Sequence, residues 1–129
     1  MAKRRPLPDT REGVTHSVII HDAQGDIRLH IRTGTYTRGK LGEVFITAAK
    51  AGSTLNGLLD LLGRMFSYNL QYGAPVEELI PKLLDHSFAP SGETDNPAIP
   101  NCSSLPDYLG RWLDREYGNG PKETTEAAA

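Results

Sequence analysis

Cys102 is the single cysteine in 129 residues, so the chain can form no internal disulfide and no zinc site built on paired thiolates. Long apolar runs are also missing: nothing approaches the roughly 18 to 20 residues that a membrane span needs. The opening MAKRRPLPDT is basic but lacks the apolar core of a secretory signal. The cytoplasm is therefore the expected compartment, and no membrane partner is expected. Neither charge sign dominates, with 14 Lys and Arg against 16 Asp and Glu for a net charge of -2, which disfavours a general nucleic-acid binder. G-x-S-x-G elbows, phosphate loops, dinucleotide fingerprints and histidines at i, i+4 spacing are all absent. Catalysis by this chain alone is unsupported, and no catalytic or metal-binding residue is assigned.

What the sequence does contain suits a globular domain: 38% hydrophobic and 23% charged residues in a length that buries one core without a staple. Residues 1–12 carry Lys3, Arg4, Arg5, Pro6 and Pro8 with little to bury and are expected to form a flexible basic arm. Residues 119–129 have no apolar pattern beyond alanine and are expected to be a disordered tail. The folded domain is then 13–118.

Within it, Ile27, Leu29 and Ile31 alternate with Arg28, His30 and Arg32, the period-two pattern of a strand with one wet face. HSVII before it and GEVFITAA after it are β-rich, and the joints HDAQGD and YTRGKLG are short enough for hairpins. From Ser53 or Thr54 as cap, Leu55, Leu58, Leu59, Leu62, Met65, Phe66 and Leu70 follow helical spacing up to Gly73 and Pro75. Gly57 and Gly63 weaken that helix by about 1 kcal/mol each. They suggest either a close approach by a strand or a second copy of the chain, or simple tolerance. A second helix near Pro75 buries Leu79, Ile80, Leu83 and Leu84, and Pro81 should kink or split it. A third starts at Ser103 or Ser104, carries Leu105, Tyr108, Leu109, Trp112 and Leu113, and stops at Gly118. The expected fold is α+β, a three-stranded antiparallel β-meander followed by three helices packed on one face.

Two candidate binding regions follow. Arg28, His30 and Arg32 on the wet strand face, with Lys40 in the next turn, suit a phosphate or nucleotide, although a solvated face that discourages edge pairing is the plainer reading. His16 and His30 come near each other if the first hairpin pairs as drawn, but nothing completes a metal site. The stretch FAPSGETDNPAIP, Phe88 to Pro100, joins the second and third helices. Phe88 and Ile99 would staple it to the core while its prolines reduce the entropy cost of ordering it. Alternatively, Ser91, Gly92, Thr94 and Asn96 present polar groups to a partner or ligand.

THSVII, GEVFITAAKAGSTLNGLLD, LQYGAPVEELIPKL, FAPSGETDNPAIP and LPDYLGRWLD, in this order and spacing, resemble the TSCPD domain at the C-terminus of adenosylcobalamin-dependent (class II) ribonucleotide reductases. The resemblance runs from about Arg11 to Tyr117. It implies a stand-alone accessory domain related to those enzymes of deoxyribonucleotide synthesis, one that docks on a large ribonucleotide reductase subunit or self-associates. It also implies that adenosylcobalamin belongs to the partner reductase and that no cofactor is bound by this chain. In such enzymes radical reduction takes place in a separate barrel and oxidises a cysteine pair that C-terminal thiols then restore, a role one thiol cannot fill. A nucleotide- or phosphate-binding module using Arg28, Arg32 and Lys40 is the alternative, and a nucleic-acid partner for the basic arm is the least favoured.

Overall fold

The structure is a computed structural model, and it describes residues 3–118. Five strands and three helices succeed one another: β1 (Thr15–Asp22), β2 (Gly25–Thr35), β3 (Leu41–Ala49), α1 (Ser53–Gln71), α2 (Val76–Leu79), β4 (Gly92–Thr94), β5 (Asn101–Cys102) and α3 (Leu105–Tyr117). The strands form one sheet in the order β3-β2-β1-β4-β5. The fold is the expected α+β class, with five strands rather than three. Of the two additional strands, β4 lies in the proline-rich stretch and β5 directly follows it. β4 pairs antiparallel with β1 (Ile20↔Thr94) and β5 with β4 (Gly92↔Cys102). Ile99 is buried there as expected, whereas Phe88 is 51% exposed and staples nothing. Pairing to β1 and β4 holds the segment instead.

The described residues divide into two compact units, 3–18 with 27–75 and 19–26 with 76–118. In the first, β2 and β3 pair antiparallel from Arg28↔Ala49 to Thr35↔Leu41, with a bulge between Gly34 and Thr35. Their inward residues Leu29, Ile31, Val44 and Ile46 are buried together with Leu59, Phe66 and Leu70 of α1. β3 is the sheet's edge strand, and α1 closes that edge with side chains. Asn56 accepts from Ala48 N–H (2.9 Å) and donates to Ala48 C=O (3.0 Å). Ser67 Oγ accepts from Val44 N–H (2.9 Å) and donates to its C=O (3.2 Å), and Gln71 Nε2 donates to Gly42 C=O (3.1 Å). An open edge is a template for aggregation, and here three helical side chains occupy it. Ser67→Ala would orphan both Val44 groups and should cost about 1–2 kcal/mol in denaturant unfolding.

The same contact resolves the glycine question. A Cβ on Gly63 would lie 2.9 Å from Val44 O, so this glycine admits the strand backbone, whereas a Cβ on Gly57 would meet nothing within 4 Å. The helix cap differs from expectation: Gly52, not Ser53 or Thr54, is the N-cap and makes no side-chain cap bond. Leu58 and Met65, counted by periodicity with the apolar face, are 61% and 55% exposed.

Residues 3–12, expected as an arm, are tied along this unit. Arg5 N–H donates to Gln71 C=O (2.9 Å), Tyr36 Oη donates to Arg5 C=O (2.5 Å) and the Arg5 guanidinium lies 4.4 Å from the Tyr36 ring centre. Arg11 grips the buried Glu43 through both carboxylate oxygens.

In the second unit, Pro81 splits the helix as expected. α2 ends at Leu79 and a 3-10 turn covers Ile80–Lys82, because proline lacks the donor that an α-helix would need there. Ile80 and Leu83 are buried, while Leu79 and Leu84 are only half-buried. α3 starts where the cap residues place it: Ser104 Oγ accepts from Asp107 N–H (3.1 Å), Pro106 occupies the first turn and Gly118 caps the C-terminus. Its residues Leu105, Tyr108, Leu109 and Leu113 are at most 1% exposed.

Candidate functional site

The wet face of β2 is real: Arg28 and Arg32 are exposed, and His30 is half-buried between them. Their alternation follows from the pleat. His30 Nδ1 lies 2.8 Å from Ser17 Oγ. Arg32 faces Phe45 across the ladder, and its guanidinium sits 4.8 Å from that ring centre. Phe45 is 38% exposed, an aromatic on the solvent face of a strand. Periodicity missed Phe45 because it reads as part of an apolar run; only its register opposite Arg32 reveals which face it takes.

The structure does not gather Arg28, His30, Arg32 and Lys40 around one anion. Arg28 pairs with Ala49 at one end of the β2–β3 ladder, while Lys40 precedes Leu41 at the other end. Seven residues of strand separate them, roughly 23 Å at the usual rise, too far for a single phosphate. Arg32 with Phe45 is instead the kind of cation–aromatic pair enriched in the cores of protein interfaces.

The second candidate set lies at the β1 edge and is engaged internally. Ser91 N–H donates to Asp22 Oδ1 (2.9 Å). This amide and that of Gln24 hold the Asp22 carboxyl below the ordinary range, with the Gln24 bond the larger cause. Gly92 adopts φ +138°, where a Cβ would meet His21 O at 2.5 Å, so only glycine fits. Thr94 Oγ1 donates to Ile99 C=O (2.5 Å) and accepts from Asn96 N–H (3.1 Å). Asn96 Oδ1 accepts from Ala98 N–H and its Nδ2 donates to Tyr108 Oη (2.9 Å). Asp95 completes the join, accepting from Ile19 N–H on its carboxylate and donating its own N–H to Ile19 C=O. These five residues shape the loop and dock it on β1.

A polar centre that sequence reasoning missed lies at the start of α3. Asp107, 1% exposed, accepts from Asp85 N–H (2.8 Å), Ser103 N–H (3.0 Å) and Arg111 Nε (3.0 Å). Burial pushes its carboxyl upward, but Arg111 and the two amides outweigh this and hold it below the ordinary carboxylate range. Arg111 also reaches Asp85 through Nη2 (3.0 Å). The i, i+4 spacing of Asp107 and Arg111 was a signal for this pair. Cys102 is buried close by, and that burial pushes its thiol up, making it a poor thiolate. Among the described residues no group of three or more His, Cys, Asp and Glu could hold a metal ion, and no helix is long and apolar enough to cross a membrane.

Residues 2–117 match the family model of the TSCPD domain. The relatives include vitamin B12-dependent ribonucleotide reductases of Rhodopirellula baltica (39% identical over 98% of this chain and 12% of the relative) and Streptomyces avermitilis (36% over 88% and 11%). The protein of the same name from Bradyrhizobium diazoefficiens is 33% identical over 91% of this chain and 9% of its own length. The chain thus spans about a tenth of each relative. No solved structure matches. With the family model matching nearly all of its length, the chain belongs to the TSCPD domain family.

Proposed function

We propose that this chain serves a cobalamin-dependent ribonucleotide reductase as an accessory module without turnover of its own, and that it docks on the large subunit through the outward face of β2 and β3. The observation that carries this reading is proportion: 88 to 98% of the chain corresponds to only 9 to 12% of the three reductases, so in those proteins the domain accompanies a much larger body. Arg32 over Phe45 gives that body an anchor, since arginine and aromatic side chains dominate interface energetics.

The residues do not fit a corrin. His21 bonds Asp26, His30 bonds Ser17 and His86 bonds Lys82 C=O, on separate elements, and the hollows beside Tyr36 and Tyr68 are open to solvent. The buried, raised thiol of Cys102 likewise supports a module that takes no part in thiol relay.

The test is capture of a large B12-dependent reductase subunit by the purified chain. Arg32→Glu and Phe45→Ala should each weaken binding at least about tenfold, the loss expected for an interface anchor, with thermal stability unchanged. No association would overturn the reading. Saturable nucleoside triphosphate binding that is lost in Arg28→Ala would replace it with the nucleotide module.

A further inference from the structure

α1 carries a second apolar stripe that its own fold leaves uncovered. Leu58, Leu61, Met65, Tyr68 and Tyr72 are 61%, 55%, 55%, 53% and 36% exposed. They follow one another at spacings of 3, 4, 3 and 4, the repeat of a coiled-coil seam, on the side of the helix opposite Leu59, Phe66 and Leu70. The seam is about 21 Å long at the helical rise. At roughly 200 Å² per large side chain it offers on the order of 500 Å² of apolar surface, at the upper end of what a monomer ordinarily exposes. Its polar flanks would bring this close to the roughly 800 Å² per partner of a stable interface.

We propose that α1 pairs antiparallel with α1 of a second copy of this chain, making the protein a two-fold symmetric dimer. An antiparallel seam packs each a position against a d position of its partner. Leu58 then faces Tyr68, and Leu61 faces Met65, on either side of an axis near Gly63. Large residues thereby meet smaller ones: Tyr72 falls opposite Thr54, and the Tyr68 ring comes down beside Gly57, where there is open space around the backbone. The exposed Asp60–Arg64 pair of the helix (2.8 Å) borders this axis, where each Arg64 comes as near to the second copy's Asp60 as to its Arg64. Arg64 and Tyr68 border the hollow that Phe45 also lines, whereas Leu58, Leu61 and Met65 lie outside it, so variants at these three test the pairing of copies apart from docking on a reductase.

Analytical ultracentrifugation of the full chain should give twice the 14.1 kDa chain mass, and Met65→Glu should shift it to the single-chain mass with an unchanged circular dichroism spectrum. Asp60→Arg and Arg64→Asp, each weakened alone, should dimerise when mixed. Orientation is read by cross-linking: Leu58→Cys mixed with Tyr68→Cys should form a disulfide-linked dimer, whereas Leu58→Cys alone should not. A single-chain mass throughout the micromolar range, a dimer indifferent to Met65→Glu, or linkage of Leu58→Cys to itself overturns the proposal. Loss of reductase capture with the dimer intact counts only against the docking role.

Discussion

Gly63→Leu is expected to lower the unfolding free energy by about 3 kcal/mol or more, the range of core overpacking with backbone displacement. An added Cβ already falls 2.9 Å from the Val44 carbonyl oxygen and 3.7 Å from Phe45 Cα, and these are backbone atoms of a paired strand that cannot rotate aside. Any displacement of α1 also stretches the bonds that Asn56, Ser67 and Gln71 make to the same edge. Gly57→Ala supplies the opposite sign: with nothing within 4 Å of the new methyl, the helix gains about 0.5 to 1 kcal/mol from reduced backbone entropy. The seam of the dimer begins beside Gly57, so this measurement belongs on the Met65→Glu background. Urea unfolding measures both. A Gly63→Leu variant within 1 kcal/mol of the parent would show that the helix does not bear on the strand so closely.

These two glycines mark the limits of sequence reading. Spacing identified a helix with two unusual glycines and left close approach and simple tolerance both open; Gly63 takes the first and Gly57 the second, because spacing does not say which side of the helix meets the strand. The same ambiguity placed Leu58 and Met65 with the apolar face. α1 has two apolar stripes, and its inner side is completed by polar Asn56, Ser67 and Gln71, which a count of apolar residues passes over. Strong local chemistry was legible. The meander appeared through alternation, the break at Pro81 through its missing donor, and the start of α3 through its serine cap. β4 and β5 were not legible. Strands of three and two residues show no period, and they owe their place to pairing with β1, to the φ of Gly92 and to carboxylates distant in sequence. In the candidate site, Arg28 and Arg32 lie where alternation put them, whereas the separation of Lys40 and the role of Phe45 needed the register.

Asp107→Ala should cost about 3 kcal/mol at pH 7, the sum expected when buried hydrogen bonds to a charged acceptor are lost and donors are orphaned. The carboxylate takes the N–H groups of Asp85, where the chain turns at φ +65°, and of Ser103, the residue before the cap of α3. It thus ties the end of the second helical segment to the start of the third. Arg111 is half-exposed and can be hydrated when Asp107 is gone, which keeps the loss below that of a fully buried ion pair. The sign of the pH dependence follows from the depressed carboxyl. Its folded-state value lies below the ordinary 3.8, so the folded protein binds fewer protons than the unfolded chain in that region. The stabilisation is therefore complete above the unfolded value and is lost as pH falls through the folded one. Denaturation of parent and variant at a series of pH values should show their difference constant near neutrality and narrowing below about pH 4. Asp107→Asn, which sets an amide group against two N–H donors, should be no better than alanine at pH 7. A difference that stays constant into acid would mean that packing, not the charge, supports the α3 start.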